Sequence, residues 1–339
     1  MKTITTKELK QKIDSGEQLT ILDVREPHEY MDWHIEGSIN LPVSNLMHRG
    51  FRIELPKENE IVTVCVHGFR SETARRILAE HGYNVRSLDG GMVEWNSVYD
   101  FSEIQGGVVQ IRRVGKGCLS YLLVSGREAV VIDPIIDTDI YQEAAKGAKI
   151  VAVIDTHLHT DHVSGKKLDG AKYFAPEEVG GQHEIVKDGG IIKFGTTRLM
   201  AIAAPGHTPG SMVYSFNNIL FTGDTIFVDG VGQPDIDQPV RDSAAMFFDT
   251  LQKLFRLPDD MLVLPGHYDI RAKQLVTTLG EIKQLFTLSK DEFVMWAAKH
   301  RLPEPDNFET IKSFNNGTVV ISRKEIRELD AGANRCVVK

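Results

Sequence analysis

THLHTDHVSG (156–165) follows directly on VAVID (151–155), an apolar run of strand length, so His157, His159, Asp161 and His162 leave one strand end together. The same arrangement recurs downstream. RLMAIAA (198–204) runs into PGHTPGS with His207, ILFT (219–222) into GD with Asp224, and MLVLP (261–265) into GH with His267. Neighbouring strands lie about 5 Å apart, so groups just past their ends can converge on one cleft. Imidazole nitrogen and carboxylate oxygen suit zinc or ferrous iron better than copper(I) or calcium. Five histidines and two aspartates at strand ends therefore predict a catalytic metal centre. VVQIRR, CLSYLLV, EAVVIDP and SMVYSF (211–216) extend the pattern to a mixed sheet. Asn217-Asn218 is a two-residue hairpin turn, because asparagine tolerates positive φ.

THLHTDH, PGHTPGS, TGD and PGH together resemble the metallo-β-lactamase superfamily, whose pattern is H-x-H-x-D-H followed by separated His, Asp and His; the likeness covers residues 107–270. The resemblance implies an αββα sandwich with metal at one edge of its two sheets. It places His157, His159 and His207 around one metal position and Asp161, His162 and His267 around a second, with Asp224 able to bridge. Ligand count alone favours a dinuclear hydrolytic centre. The persulfide dioxygenase branch keeps all seven residues yet holds a single iron on two histidines and one aspartate. Mapped here, one Fe(II) per chain would sit on His157, His207 and Asp224, leaving His159, Asp161, His162 and His267 to orient ligands or water, or to hold a second metal. Two Zn(II) ions are the alternative. DHVSG resembles the dioxygenase branch, but near GVGQPDI (230–236) Gln233 stands where the branch often carries an arginine that holds glutathione. That departure leaves glutathione, coenzyme A and bacillithiol open as the thiol carrier. SKDEFVMWAAKHRLPEPDNF resembles the branch's helical tail loosely.

The first part of the chain has another texture. TILDV (20–24) and IVTVC (61–65) read as buried strands, SETARRILAEHG (71–82) as a helix with Ser71 as N-cap and Gly82 as stop, and NVRSLDGG as a strand with a glycine turn. Strands alternating with helices predict a parallel α/β domain. Cys65 ends a strand and is followed by VHGFR and the helix start. Loop N–H groups, the helix dipole and nearby Arg70 favour its thiolate, and Gly68 lets the loop curl around the sulfur. ILDVREPHEYMDWHIEGSINLP, CVHGFRS and LDGGMVEW resemble a single-domain rhodanese over residues 1–98, with Trp33 where that family usually has glycine. The resemblance implies that Cys65 is catalytic and that Val66, His67, Gly68, Phe69 and Arg70 form the substrate-binding loop.

The reading as a whole is an α/β rhodanese-like domain (1–98), a linker (99–106) where periodicity lapses and two glycines meet, and an αββα metallo-β-lactamase-fold domain (107–339). Cys118 reads as core and Cys336 as a tail thiol, while His28, His34, His48, His81, His183 and His300 have no partners by spacing. The net charge of −8 argues against nucleic acid or anionic membrane as partner, and three unpaired cysteines argue against a disulfide framework. The amino terminus lacks the apolar stretch of a signal peptide, and no run approaches the 18 or so apolar residues of a membrane helix. A cytoplasmic setting is the expectation. Whether the chain forms a homo-oligomer stays open. Three functions fit these features. The first oxidises a low-molecular-weight thiol persulfide with O2 to sulfite and thiol, with sulfane-sulfur transfer from thiosulfate or persulfide through Cys65. The second is a dinuclear zinc thioesterase of the glyoxalase II kind. The third is a sulfur carrier or sensor.

Overall fold

A computed structural model describes residues 2–48, 52, 54–235, 237–269, 272, 274–301, 307–332 and 337–338. The chain divides into two compact units, one built mainly from residues 1–100 and the other mainly from 101–330. Cys336 lies outside the described residues. Among the described residues no helix is long and apolar enough to cross a membrane.

The first unit holds a five-stranded sheet in the order Thr3–Ile4, Val85–Leu88, Glu60–Val64, Leu19–Asp23, Ile39–Asn40, and every pairing is parallel. The expected α/β pattern follows from strands buried on both faces: Ile21, Leu22, Ile61 and Val62 are all inside. Arg25 of the DVR motif is 1% exposed and is held by Asp23 (Nη2 to Oδ2, 2.6 Å) and by the Trp33 carbonyl (2.6 Å). Trp33 earns its place through its ring, over which the Arg25 guanidinium lies at 5.6 Å.

The helix read over 71–82 instead spans Phe69–Glu80, and Ser71 is not its N-cap. The cap position is Gly68, at φ 100°, and the Ser71 hydroxyl donates to the Gly68 carbonyl inside the first turn. A serine can bond either way at a helix start, and here a preceding glycine supplied the left-handed corner first.

The second unit is two stacked sheets with helices outside. One has seven strands in the order Glu184–Ile185, Lys172–Ala175, Lys149–Ile154, Glu128–Ile132, Cys118–Ser125, Val108–Arg113, Tyr99–Glu103. The other has six: Ile191–Phe194, Thr197–Ala203, Met212–Phe216, Ile219–Gly223, Leu262–Pro265, Thr277–Thr278. Tyr121, Ile132 and Ile154 of the first sheet share one core with Leu199, Tyr214 and Phe221 of the second. On the outer face of the six-stranded sheet, Phe247 and Leu251 of helix Val240–Leu254 pack with Phe293 of helix Lys290–Lys299. This is the αββα order. Asn217, at φ 52°, turns the two-residue hairpin between Phe216 and Ile219. Residues Tyr99–Glu103, where the sequence predicts a linker, form an edge strand, and the two glycines make the turn into Val108–Arg113. Its side chains are half-buried or exposed, as at a sheet edge, so no apolar run announces it.

Candidate metal centre

Each predicted ligand leaves the end of a strand of the two stacked sheets. His157, His159, Asp161 and His162 follow Lys149–Ile154, His207 follows Thr197–Ala203, Asp224 follows Ile219–Gly223, and His267 follows Leu262–Pro265. Six of the seven are at most 6% exposed, and the His207 side chain is 11% exposed. Gly232 permits the approach of the next loop, since a Cβ there would stand 1.8 Å from the Asp224 carbonyl oxygen.

The seven do not form one undivided cluster. His157, His207 and Asp224 offer ligand atoms within 4.8 Å of one another; Asp161, His162 and His267 do so with Cys118; His159 does so with Asp133 and Asp155. His157 Nε2 and His207 Nε2 stand 3.9 and 3.6 Å from Asp224 Oδ2, a buried oxygen with no hydrogen-bond partner. Both imidazoles are oriented from behind. His207 Nδ1–H donates to the Gln233 carbonyl at 2.8 Å, so its Nε2 carries the lone pair. Thr156 gives its hydroxyl proton to Asp133 Oδ2 (3.0 Å) and so accepts from His157 Nδ1–H at 2.9 Å, which fixes the same tautomer. Burial and the neighbouring His159 hold the His157 pKa well below its ordinary value, keeping it neutral and able to bind a metal.

His159 is drawn away from this group. Its Nε2 lies 3.1 Å from Asp133 Oδ1 and 3.6 Å from Asp155 Oδ1. Burial opposes its charge, but the Asp133 and Asp155 carboxylates outweigh burial and hold its pKa well above the ordinary histidine range. The superfamily expectation of His159 beside His157 and His207 is therefore met in ring proximity (4.2 Å between the His157 and His159 centroids) but not in ligand-atom grouping. Asp133 and Asp155 belong to the site although the sequence reading passed over them. Both sit one residue past a strand end, the signal that revealed the others.

Three further residues hold the ligand loops and carry no local signal. Glu178 accepts from Leu158 N–H (3.0 Å), the Thr208 hydroxyl (2.5 Å) and Gly210 N–H (2.7 Å), tying the His157–His159 loop to the His207 loop. Asn315 donates to the His159 and His162 carbonyls (2.8 Å each) and accepts from Ser164 N–H (3.0 Å). Asp330 accepts from Val163 N–H at 2.8 Å. The helical tail thus braces the THLHTDHVSG loop.

In the first unit, Cys65 lies just past Glu60–Val64 and is 2% exposed. Gly68 N–H (3.2 Å) and Ser71 N–H (3.3 Å) donate to its Sγ, and Ser71 Oγ is 3.5 Å away. Val66 and Gly68 are half-buried, His67 is exposed, and Phe69 is 83% exposed. Arg70 is half-buried and not free: Glu29 accepts from both guanidinium nitrogens at 2.6 and 2.7 Å. Gly91 closes the loop, because a Cβ there would meet the Cys65 carbonyl oxygen at 2.2 Å.

Residues 5–98 match the rhodanese-like domain family, and residues 113–168 and 166–267 match the metallo-beta-lactamase superfamily. The persulfide dioxygenase ETHE1, mitochondrial, of Homo sapiens is 32% identical over 197 residues, covering 54% of this chain and 76% of that protein. A hydroxyacylglutathione hydrolase of Polaromonas sp. is 34% identical over 216 residues, covering 58% of this chain and 81% of its own. Among solved structures, ETHE1 from Myxococcus xanthus shares the fold at a TM-score of 0.54 and 24% identity, over 65% of this chain and 99% of that one. A metallo-beta-lactamase from Staphylococcus aureus does so at a TM-score of 0.58 and 24% identity, over 65% and 73%. With residues 5–98 in the rhodanese-like family and the larger remainder homologous to ETHE1 persulfide dioxygenase, this chain belongs to the metallo-β-lactamase superfamily as a fusion with a rhodanese-like domain.

Proposed function

We propose that the chain is a persulfide dioxygenase joined to a sulfurtransferase, with one Fe(II) on His157, His207 and Asp224. The observation that carries this reading is the separation of the seven residues. Two imidazoles with fixed Nε2 lone pairs face one orphaned carboxylate oxygen, while His159 is committed to Asp133 and Asp155. Two histidines and one carboxylate leave open positions on ferrous iron, and iron so bound supplies the redox chemistry that lets persulfide sulfur reduce O2. The net reaction is RSSH + O2 + H2O giving RSH, sulfite and two protons. The protein's part is to hold the ligand tautomers through Gln233 and Thr156 and to keep the loops in register through Glu178 and Asn315.

Cys65 would take sulfane sulfur from a persulfide or thiosulfate. Its thiolate attacks the outer sulfur, the donor S–S bond breaks, and thiol or sulfite leaves with the electron pair. The Gly68 and Ser71 N–H groups support negative charge on the sulfur before and after transfer. The thiol carrier in this reading is glutathione, coenzyme A or bacillithiol. Iron analysis of the purified chain, with O2 uptake and sulfite release on glutathione and coenzyme A persulfides, tests it. Bound iron with no O2 consumption on any small persulfide would sink the proposal.

A second reading, a dinuclear zinc thioesterase, is favoured by the second group around Asp161, His162 and His267 and by the likeness to hydroxyacylglutathione hydrolases. It predicts two zinc ions per chain and turnover of S-lactoylglutathione.

A further inference from the structure

We propose that Cys118 is a metal ligand: its thiolate closes a four-residue site with Asp161, His162 and His267 for a zinc-class divalent cation, beside the position given to iron. By sequence Cys118 is a core cysteine, and its 1% exposure fits that as well as it fits a ligand. The surroundings decide. Cys118 faces His267 across an isolated antiparallel bridge. The flanking bonds, Leu119 N–H to the Gly266 carbonyl (2.7 Å) and Tyr268 N–H to the Gly117 carbonyl (2.9 Å), make this a non-hydrogen-bonded pair. That is the arrangement in which opposed side chains stand closest and on the same face. The four residues offer ligand atoms that all lie within 4.8 Å of one another, and all four are buried.

Three of those residues also present unpartnered polar atoms. His267 Nδ1 bonds Asp224 Oδ1 at 2.6 Å, and His162 Nδ1 bonds Asp161 Oδ1 at 3.1 Å. Asp161 Oδ2, His162 Nε2 and His267 Nε2 are left buried with no hydrogen-bond partner. Asp161 Oδ2 stands 2.8 Å from His267 Nε2, yet out of line for a hydrogen bond. Buried unsatisfied atoms cost free energy singly, and three beside a thiol are the pattern a cation relieves. The Nδ1 bonds are those expected behind metal-bound imidazoles, since each leaves its Nε2 to the ion. One thiolate, one carboxylate and two imidazoles complete a tetrahedral shell, and a closed shell keeps no place for a hydrolytic water. The cation would therefore be structural and would brace Asp224 through His267. The inference rests on the iron reading only in leaving His157, His207 and Asp224 to another metal.

The test uses the full chain with C65S and C336S, so that Cys118 is the sole cysteine. Metal-free protein titrated with cobalt(II) should develop a thiolate-to-cobalt charge-transfer band that zinc competes away. Adding C118S should abolish the band and weaken zinc binding by about a hundredfold. Should that variant fail to fold, X-ray absorption of the zinc-loaded parent still reads the site, with one sulfur neighbour expected at about 2.3 Å. Absence of the cobalt band from the parent, or a zinc shell of nitrogen and oxygen alone, overturns the proposal. Oxygen uptake on persulfide is measured separately, on the iron-loaded chain with Cys65 intact. Its loss would sink the dioxygenase reading and leave the zinc–sulfur signature unaffected.

Discussion

Asn315→Asp changes one atom and nothing of the shape, yet it reverses the hydrogen bonding beneath the metal loop. Asn315 is 2% exposed and donates its two amide hydrogens to the His159 and His162 carbonyls. An ionised carboxylate keeps the bond from Ser164 N–H but turns both carbonyl contacts into acceptor against acceptor. Two lost bonds at about 1 kcal/mol each, and two buried carbonyls left unpaired at about 1 kcal/mol or more each, come to roughly 4 kcal/mol. At about 2–4 °C per kcal/mol for a domain of this size, the melting transition of the metal domain should fall by roughly 10 °C. The introduced carboxyl can escape part of this by keeping its proton and donating to one carbonyl. Its folded pKa is then raised, so the variant's deficit should shrink as pH falls toward 5 and be largest above neutrality. Differential scanning calorimetry with metal analysis at both pH values is the measurement. A variant that melts within 2 °C of the parent at pH 8 and retains its metal would refute the brace.

Three further substitutions probe other joints. Glu178→Gln puts an amide N–H against a backbone donor at Leu158 or Gly210, so stability should fall by about 2 kcal/mol and iron affinity by about tenfold, read by thermal melting and chelator competition. Asp133→Asn leaves one oxygen for the Thr156 N–H, the Thr156 hydroxyl and His159, all of which Asp133 serves in the folded chain; urea unfolding should show a loss of about 3 kcal/mol. In the thiol loop, hydrogen bonds from Arg70 hold the Glu29 pKa down to about 2. A depressed carboxylate stabilises the fold above its unfolded value and loses that contribution as pH falls through 4.5 to 2. Glu29→Gln should therefore cost about 1 kcal/mol at neutral pH, after allowance for solvent screening, and nothing near pH 2. Equal losses at both pH values would show that the pair contributes by packing alone.

Much of this protein is written locally. Apolar runs of four to eight residues mark nearly every strand that carries a ligand, because a strand buried on both faces must be apolar along its length. A short loop after such a run cannot take His157, His207, Asp224 or His267 far from the sheet edge, so the cluster was legible before any fold was drawn. The position of Cys65 just past the buried strand Glu60–Val64 is legible for the same reason. The edge strand Tyr99–Glu103 was not, since exposed side chains leave no periodic trace.

The tertiary structure alone decided how the seven residues divide. Which nitrogen of His159 meets Asp133 and Asp155, and which oxygen of Asp224 stays unpaired, depends on side-chain directions that spacing does not encode. The same holds for Cys118, whose apolar neighbours in CLSYLLV mark it as core until the bridge to His267 turns its sulfur toward three unpartnered groups. Glu178 and Asn315 lie 20 and 156 residues from groups in the metal loop that they hold. Sequence by itself determined which chemistry the chain can offer, because residue type and strand ends are local properties. Which of those groups share a metal is a matter of contacts across the two sheets and the helical tail, and those exist only once the chain has folded.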